Sequence, residues 1–341
     1  MFDCAKDIQK YHDARVKLNE EQRDTLKGHR DANRKRLKDG LSGDEKPTPI
    51  EHVRQGSDAM GTTTQHPAND YDIDDGALFN KEDLVGTNGG EMTALQVRQM
   101  ICDALQDDRF ATPPEVKTNC VRVFYDAGYH VDIPAYRQAK EDDSTVYELA
   151  SSNWKVSNPK GVTDWYVARK VGTHPEGTTS YQLDQLVRLL KVFGKSRPSW
   201  DMPSGLIWTV LVSEQYAWPS ERLDQKLYDV MKAIRDRLKL NKRVPHPVIS
   251  EYITKTDGDP DMVQCEQHLS EALDWLAVLS KSTCTLSEAL KAWKKIFNTD
   301  FFDGGIKKAE EDEEAKASIW VKKNTDEPTN PVDKRGGGRF A

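Results

Sequence analysis

Three short stretches of this chain hold the residues best suited to chemistry: Gly56-Ser57 in QGSDAMG, Asp72 and Asp74 in YDIDDG, and Asp132 in HVDIP. Carboxylates two positions apart repel, and each raises the other's pKa unless a cation lies between them. Alternation along a strand sets Asp72 and Asp74 on one face and Ile73 on the other, where it can anchor in a core. Such a pair alone is better read as the solvated strand edge of an acidic protein. Asp132 changes the balance: it alternates with Val131 and Ile133, both β-branched, and Asp is depleted inside strands. Three acids on one sheet face match the ligand set for two divalent ions about 4 Å apart, which clamp the attacking and leaving oxygens of an in-line phosphoryl displacement. An all-oxygen site of this kind suits Mg²⁺, with Mn²⁺ as a substitute. A Gly-Ser turn leading into a helix adds backbone N–H groups, a hydroxyl and a positive helix end for a triphosphate.

The elements that must position these residues are legible in outline. Residues 1–38 read as helix, with Asn19 and Gln22 spaced like a capping box, and are expected to bridge two lobes. Residues 39–155 hold the acids, a strand at YDIDDGALF, a helix at TALQVRQMICDAL with Thr93 as N-cap, a strand pair at CVRVFY and YHVDIPAYR, and a further strand at TVYELA. From residue 156 to 300 the pattern turns to amphipathic helices, including YQLDQLVRLLKVF and SGLIWTVLVSEQ. Residues 301–341 are charged, poor in apolar side chains and closed by GGGRFA, which predicts a mobile tail. The fold class expected is therefore α+β, a mixed-sheet lobe packed against a helical lobe with a cleft between them.

Bulk properties bound the function. With 341 residues the chain can bury a large core, and 31% charged residues with a net charge of −7 argue against constitutive binding along a nucleic-acid backbone. The stretch RDTLKGHRDANRKRLK carries seven Lys or Arg against two Asp, and reads as the solvated face of a surface helix. The five cysteines are odd in number and form no C-x-x-C pair, so neither a disulfide framework nor a zinc site is expected. No apolar run approaches the roughly 20 residues needed to span a bilayer, and MFDCAKDIQKYHD lacks the apolar stretch of a signal peptide, so the protein is placed in the cytoplasm. His66 and His130 flank the motifs, but a metal-activated hydroxyl needs no histidine, and structural roles are expected for both. The eight Trp, among them Trp165, Trp208, Trp275 and Trp293, are read as core by default, with stacking of one or two aromatics on a base as the alternative. Asp75 is expected to turn away from the metals and to cap the following turn.

G-S, then D-I-D-D-G, then H-V-D-I-P, in that order and spacing, resembles the DNA polymerase β type of nucleotidyltransferase, and within it the bacterial cGAS/DncV-like nucleotidyltransferases (CD-NTases) of anti-phage signalling. The likeness extends over NPKGVTDWYVARKVG, LVRLLKVFGKSRPSW and PSGLIWTVL, and covers roughly residues 50–215. It implies that Asp72 and Asp74 bind both metals and Asp132 the one that activates a ribose hydroxyl. It also implies that Gly56 and Ser57 hold the β- and γ-phosphates of the donor nucleotide, that Lys191 in R-L-L-K lies on the triphosphate, and that Ser204 in P-S-G lies near the nucleobase and triphosphate. Ser204 reads equally as a helix N-cap, and Lys191 as a surface cation. Phe193 stands where the family often has Trp. The activity implied is Mg²⁺-dependent joining of nucleoside triphosphates such as ATP and GTP into a cyclic oligonucleotide, most typically cyclic GMP-AMP, by a monomer that needs no nucleic acid. In some systems of this family the C-terminus is conjugated to other proteins, which makes a protein partner at GGGRFA an expectation too. A linear template-independent transferase, a silent nucleotide-binding scaffold and a nucleic-acid-activated sensor stay open at this point.

Overall fold

The computed structural model describes residues 1–65, 72–126, 128–141 and 144–325, with side chains as far as residue 316. Helix α1 (Ala5–Tyr11) runs into a π turn at His12–Val16, and α2 (Glu20–Gly43) starts anew. The single 38-residue helix expected from the sequence is thus broken at residues 17–19. The cause is the capping box itself: Gln22 N–H donates to Asn19 Oδ1 at 2.8 Å and Asn19 N–H donates to Gln22 Oε1 at 3.0 Å, which holds Asn19 extended. The basic residues of α2 are largely consumed by neighbours: Arg34 forks Asp75, Arg36 lies 3.5 Å from Asp107 and 4.2 Å over the Phe110 ring, and Lys27 and Lys35 pair within the helix.

Strand β1 (Glu51–Gln55) leads into a five-residue helix α3 (Gly56–Met60), and β2 (Asp72–Asn80) follows. After α4 (Ala94–Ala104), capped by Thr93 as expected, come β3 (Glu115–Val116), β4 (Val121–Phe124), β5 (His130–Ile133), β6 (Ala135–Glu141), β7 (Ser144–Ala150) and β8 (Trp154–Val156). The sheet is mixed, in the order β3-β4-β5-β2-β6-β7-β8, with β1 pairing β2 antiparallel. Strand β2 runs parallel to β5 through Asp72–Asp74 and parallel to β6 through Ala77–Asn80. Pro134 separates β5 from β6; it has no N–H to give a ladder, but its carbonyl accepts from Ala77 N–H at 2.8 Å.

The period-2 pattern sorts the two sheet faces. Ile73, Val121, Val123, Val131 and Ile133 enter a core with Leu37 and Leu41 of α2 and Val97 and Ile101 of α4. Burying several such side chains, each worth roughly 1.5–3 kcal/mol, pins the register, since a one-residue slip would exchange them with the acids.

Helices α5 (Gly161–Lys170), α6 (Gln182–Gly194), α7 (Gly205–Gln215), α8 (Leu223–Leu240) and α9 (Pro260–Leu276) follow the sheet. Residues 3–275 form one compact unit, and residues 1–2 with 276–341 another, which holds α10 (Leu286–Phe297) and α11 (Asp303–Thr325). Helix α11 corrects the expectation of a mobile tail from residue 301. Its Ala, Glu and Lys are strong helix formers, Ile306 and Ala309 are buried, and Glu310 pairs with Lys291 at 2.6 Å. The GGGRFA end lies outside the described residues. Among the described residues, no helix is long and apolar enough to cross a membrane, and all five cysteines are buried with none in a disulfide.

Candidate active site

The β2–β5 register sets Asp74 directly opposite Asp132, with Asp72 one pleat away on the same face. Each of the three offers a carboxylate oxygen, and these atoms all lie within 4.8 Å of one another. Burial pushes the Asp74 carboxyl up to about 7, helped by Asp72 and Asp132, and burial and then Asp132 raise Asp72. Such a cluster holds electrostatic free energy that a hard cation with oxygen ligands would release, so the donor set fits the divalent ions inferred from the sequence.

Arg122 was missed by the sequence reading. It lies opposite Asp132 in the β4–β5 ladder and forks both carboxylate oxygens, Nε to Oδ1 at 2.8 Å and Nη2 to Oδ2 at 2.7 Å. The signal was present, since Arg122 alternates with Val121 and Val123 and so shares the acid face. Asp75 points the other way, as expected, and its carboxylate partners among the described residues are Arg34 and His52. Its carboxyl is desolvated yet held below the usual carboxylate range by Arg34, whose Nε donates to Oδ2 at 2.7 Å, and by His52 at 3.4 Å.

Strand β1 delivers the Gly-Ser turn to these acids through its pairing of Gln55 with Asp74. Gly56 has φ +62°, and a Cβ there would lie 1.8 Å from Asp74 Oδ2. The glycine is therefore required by the neighbouring carboxylate as well as by the turn. Ser57 Oγ lies 3.0 Å from Thr63 Oγ1, and Thr62 N–H donates to Ser57 O at 2.8 Å.

The opposite wall comes from α6 and α7. Lys191 is not the surface cation that its helix position allowed: it is 8% exposed and donates to Thr62 O at 3.3 Å and Thr62 Oγ1 at 3.0 Å. Burial, then Lys195 and Arg188, bring its ammonium down to about 7. Ser204 caps α7 by accepting from Ile207 N–H at 3.5 Å. Gly56, Ser57, Asp72, Asp74, Lys191 and Ser204 all line one cavity of about 870 Å³, at the upper end of ligand-sized pockets. Lys195, one turn beyond Lys191, and Trp200 line it as well and were not singled out from the sequence. Trp208, read as core, is buried and also borders the cavity. His130 lies on its rim, edge-on to Phe124 at 5.4 Å, and His66 falls outside the described residues.

Residues 50–136 match the family described as cyclic GMP-AMP synthase DncV-like, nucleotidyltransferase domain. The fold is similar to Bradyrhizobium diazoefficiens CD-NTase CdnG, solved in complex with GTP (15% identity, TM-score 0.70, covering 90% of this chain and 99% of that one). It is also similar to Vibrio cholerae DncV cyclic AMP-GMP synthase, a prokaryotic cGAS homolog (17% identity, TM-score 0.68, 87% and 96% covered). A third similar structure is Escherichia coli MS115-1 CdnC, solved in a complex with HORMA-deltaN (17% identity, TM-score 0.64, 86% and 97% covered). These structures share the α+β fold of this chain, a mixed sheet followed by helices. Residues 50–136 of this chain are thus similar to the nucleotidyltransferase domain of cyclic GMP-AMP synthase DncV-like proteins, and the chain shares the fold of the CD-NTase structures.

Proposed function

We propose that the protein is a Mg²⁺-dependent nucleotidyltransferase that joins ribonucleoside triphosphates with release of pyrophosphate and closes them into a cyclic dinucleotide of the cyclic GMP-AMP type. The observation that carries this reading is the meeting of Asp72, Asp74 and Asp132 within 4.8 Å, beside a cavity that also holds Ser57 and Lys191. The family description and the Vibrio cholerae relative, a cyclic AMP-GMP synthase, support it. Bound divalent ions would make the attacking ribose hydroxyl more acidic and balance the charge on the departing pyrophosphate.

The chain's own residues have mostly positioning work. Asp72 and Asp74 would hold both ions and Asp132 the one beside the attacking hydroxyl, while Arg122 fixes the plane of the Asp132 carboxylate. The Gly56-Ser57 turn and Lys191 hold the β- and γ-phosphates of the donor, and Ser204 stands by the base and triphosphate. In this arrangement, fixed dipoles and charges meet the triphosphate without reorganising during transfer. Residues 39–155 act as the nucleotidyltransferase core and residues 156–300 as the helical lobe of a cytoplasmic monomer in anti-phage (CBASS) signalling.

The product decides the reading. The purified protein, given all four labelled ribonucleoside triphosphates and Mg²⁺, is expected to release pyrophosphate and to yield a phosphatase-resistant species with the mass of a cyclic dinucleotide. Products that phosphatase digests completely would make it a linear transferase, and no pyrophosphate at all would make it a scaffold.

A further inference from the structure

Three consecutive carbonyls at the end of α3 each accept a hydrogen bond from a different cationic side chain of α5 or α6. Lys170 Nζ donates to Met60 O at 3.2 Å, Arg188 Nη2 to Gly61 O, and Lys191 Nζ to Thr62 O at 3.3 Å. A helix leaves its last carbonyls without internal partners, and cations are favoured there. Here Ser57 O and Asp58 O accept from Thr62 N–H and Gly61 N–H, and the carbonyls of Met60, Gly61 and Thr62 that follow are met by long side chains from outside the helix. Gly61 takes the left-handed conformation, φ +75°, that turns the chain between the first and last of these contacts.

The cations are themselves held. Lys170 Nζ lies 3.5 Å from Asp184 Oδ2, and Tyr166 OH donates to Asp184 Oδ1 at 2.8 Å. Arg188 Nη1 lies 3.2 Å from His12 Nε2, in the π turn, and the same segment pins the chain just beyond the clamp: Gln65 N–H donates to Val16 O at 2.9 Å and Gln65 Nε2 to Lys17 O at 2.6 Å. The side chains of Lys170 and Asp184 are only 15% and 10% exposed. Neither they nor Arg188 line the cavity, whereas Ser57, Thr62, Thr63 and Thr64 do. The turn is thus gripped from behind while its front faces the site. Lys191 belongs to both sides, since an ammonium has three protons and Thr62 accepts two of them, leaving one for a ligand.

We propose that Lys170, Asp184 and Arg188 are positioning residues, a clamp on the Met60 and Gly61 carbonyls that holds the Gly56–Thr62 turn in register with Lys191 to receive a nucleoside triphosphate. The inference rests on the triphosphate reading of the cavity given above. A turn that meets phosphates before and during transfer contributes uniform binding, so loosening it weakens nucleotide affinity and leaves turnover at saturation nearly unchanged.

The test is calorimetric titration with α,β-methylene-ATP and Mg²⁺, alongside KM and kcat for ATP and GTP. Lys170→Met and Arg188→Lys are expected to weaken the analogue roughly tenfold, the scale of one lost hydrogen bond to a charged group, and to raise KM in parallel with kcat changed by less than about twofold. Lys170→Arg should restore affinity, because a guanidinium can still donate to Met60 O and pair with Asp184. If Arg188→Lys does not melt cooperatively, the Lys170 pair decides alone. Affinity within twofold of the parent in both variants, or a loss confined to kcat, overturns the clamp. A parent protein that does not bind the analogue, or an Asp74→Asn variant that keeps full turnover, overturns instead the reading of the cavity on which the clamp rests.

Discussion

Asp74→Asn is expected to lower nucleotidyl transfer by roughly 10³-fold or more, about 4 kcal/mol of transition-state stabilisation, without harming the fold. Asp74 sits between the other two acids, one pleat from Asp72 and in register with Asp132. It is the most strongly perturbed of the cluster, pushed to about 7 by burial and then by Asp72 and Asp132. Asparagine keeps the shape and one carbonyl oxygen but loses the charge that a divalent ion needs from its bridging ligand. The change also removes one of three crowded negative charges, so the melting temperature measured in chelator should equal or exceed the parent's. Pyrophosphate release gives the activity. A variant retaining more than a tenth of parental turnover would take Asp74 out of the chemistry.

Gly56→Ala should be nearly as damaging, through a different cause. A Cβ at Gly56 would lie 1.8 Å from Asp74 Oδ2, and the residue sits at φ +62°, where an L side chain costs about 1–2 kcal/mol. Either the turn or the carboxylate must move. A displacement of about 1 Å at a reacting centre can cost on the order of 10²-fold, and a loss of at least that size is expected in pyrophosphate release. Ser57→Ala, which removes only a hydroxyl 3.0 Å from Thr63 Oγ1, should cost about tenfold or less. The ordering of the two variants is the informative result: if Ser57→Ala were the worse, the hydroxyl and not the room beside Asp74 would be what this turn supplies.

These two residues also mark how far the sequence could be read. The alternation of Asp72, Ile73 and Asp74, and of Val131, Asp132 and Ile133, is a local property of strands, and the structure places both sets as that pattern requires. The capping boxes at Asn19 and Thr93 were equally local and are both present. What one box implied for its neighbours was less visible: Asn19 opens a helix and thereby ends the preceding one, so residues 1–38 are not continuous. Beyond the meeting of the three acids, long-range side-chain pairing was not legible. Arg122 could be placed on the acid face by counting, but its fork on Asp132 depends on ladder register, and the partnership of Asp75 with Arg34 spans 41 positions. Lys191 gave no sign in the sequence that it would be buried against Thr62. The same holds for Lys170 and Arg188, whose helices look like ordinary amphipathic helices until the carbonyls of Met60 and Gly61 are seen in front of them. Helix α11 was obscured by composition, since its charge density resembles that of a tail while its Ala, Glu and Lys favour helix.

The claim on which the rest depends is that the three carboxylates are a divalent-metal site serving a bound triphosphate. Anomalous diffraction from crystals grown with Mn²⁺ and α,β-methylene-ATP addresses it directly. The account predicts two manganese peaks about 4 Å apart, both coordinated by Asp72 and Asp74 and one also by Asp132, with the triphosphate against Ser57 and Lys191. Manganese peaks elsewhere, or a nucleotide bound with no metal within coordinating distance of these three side chains, would contradict it.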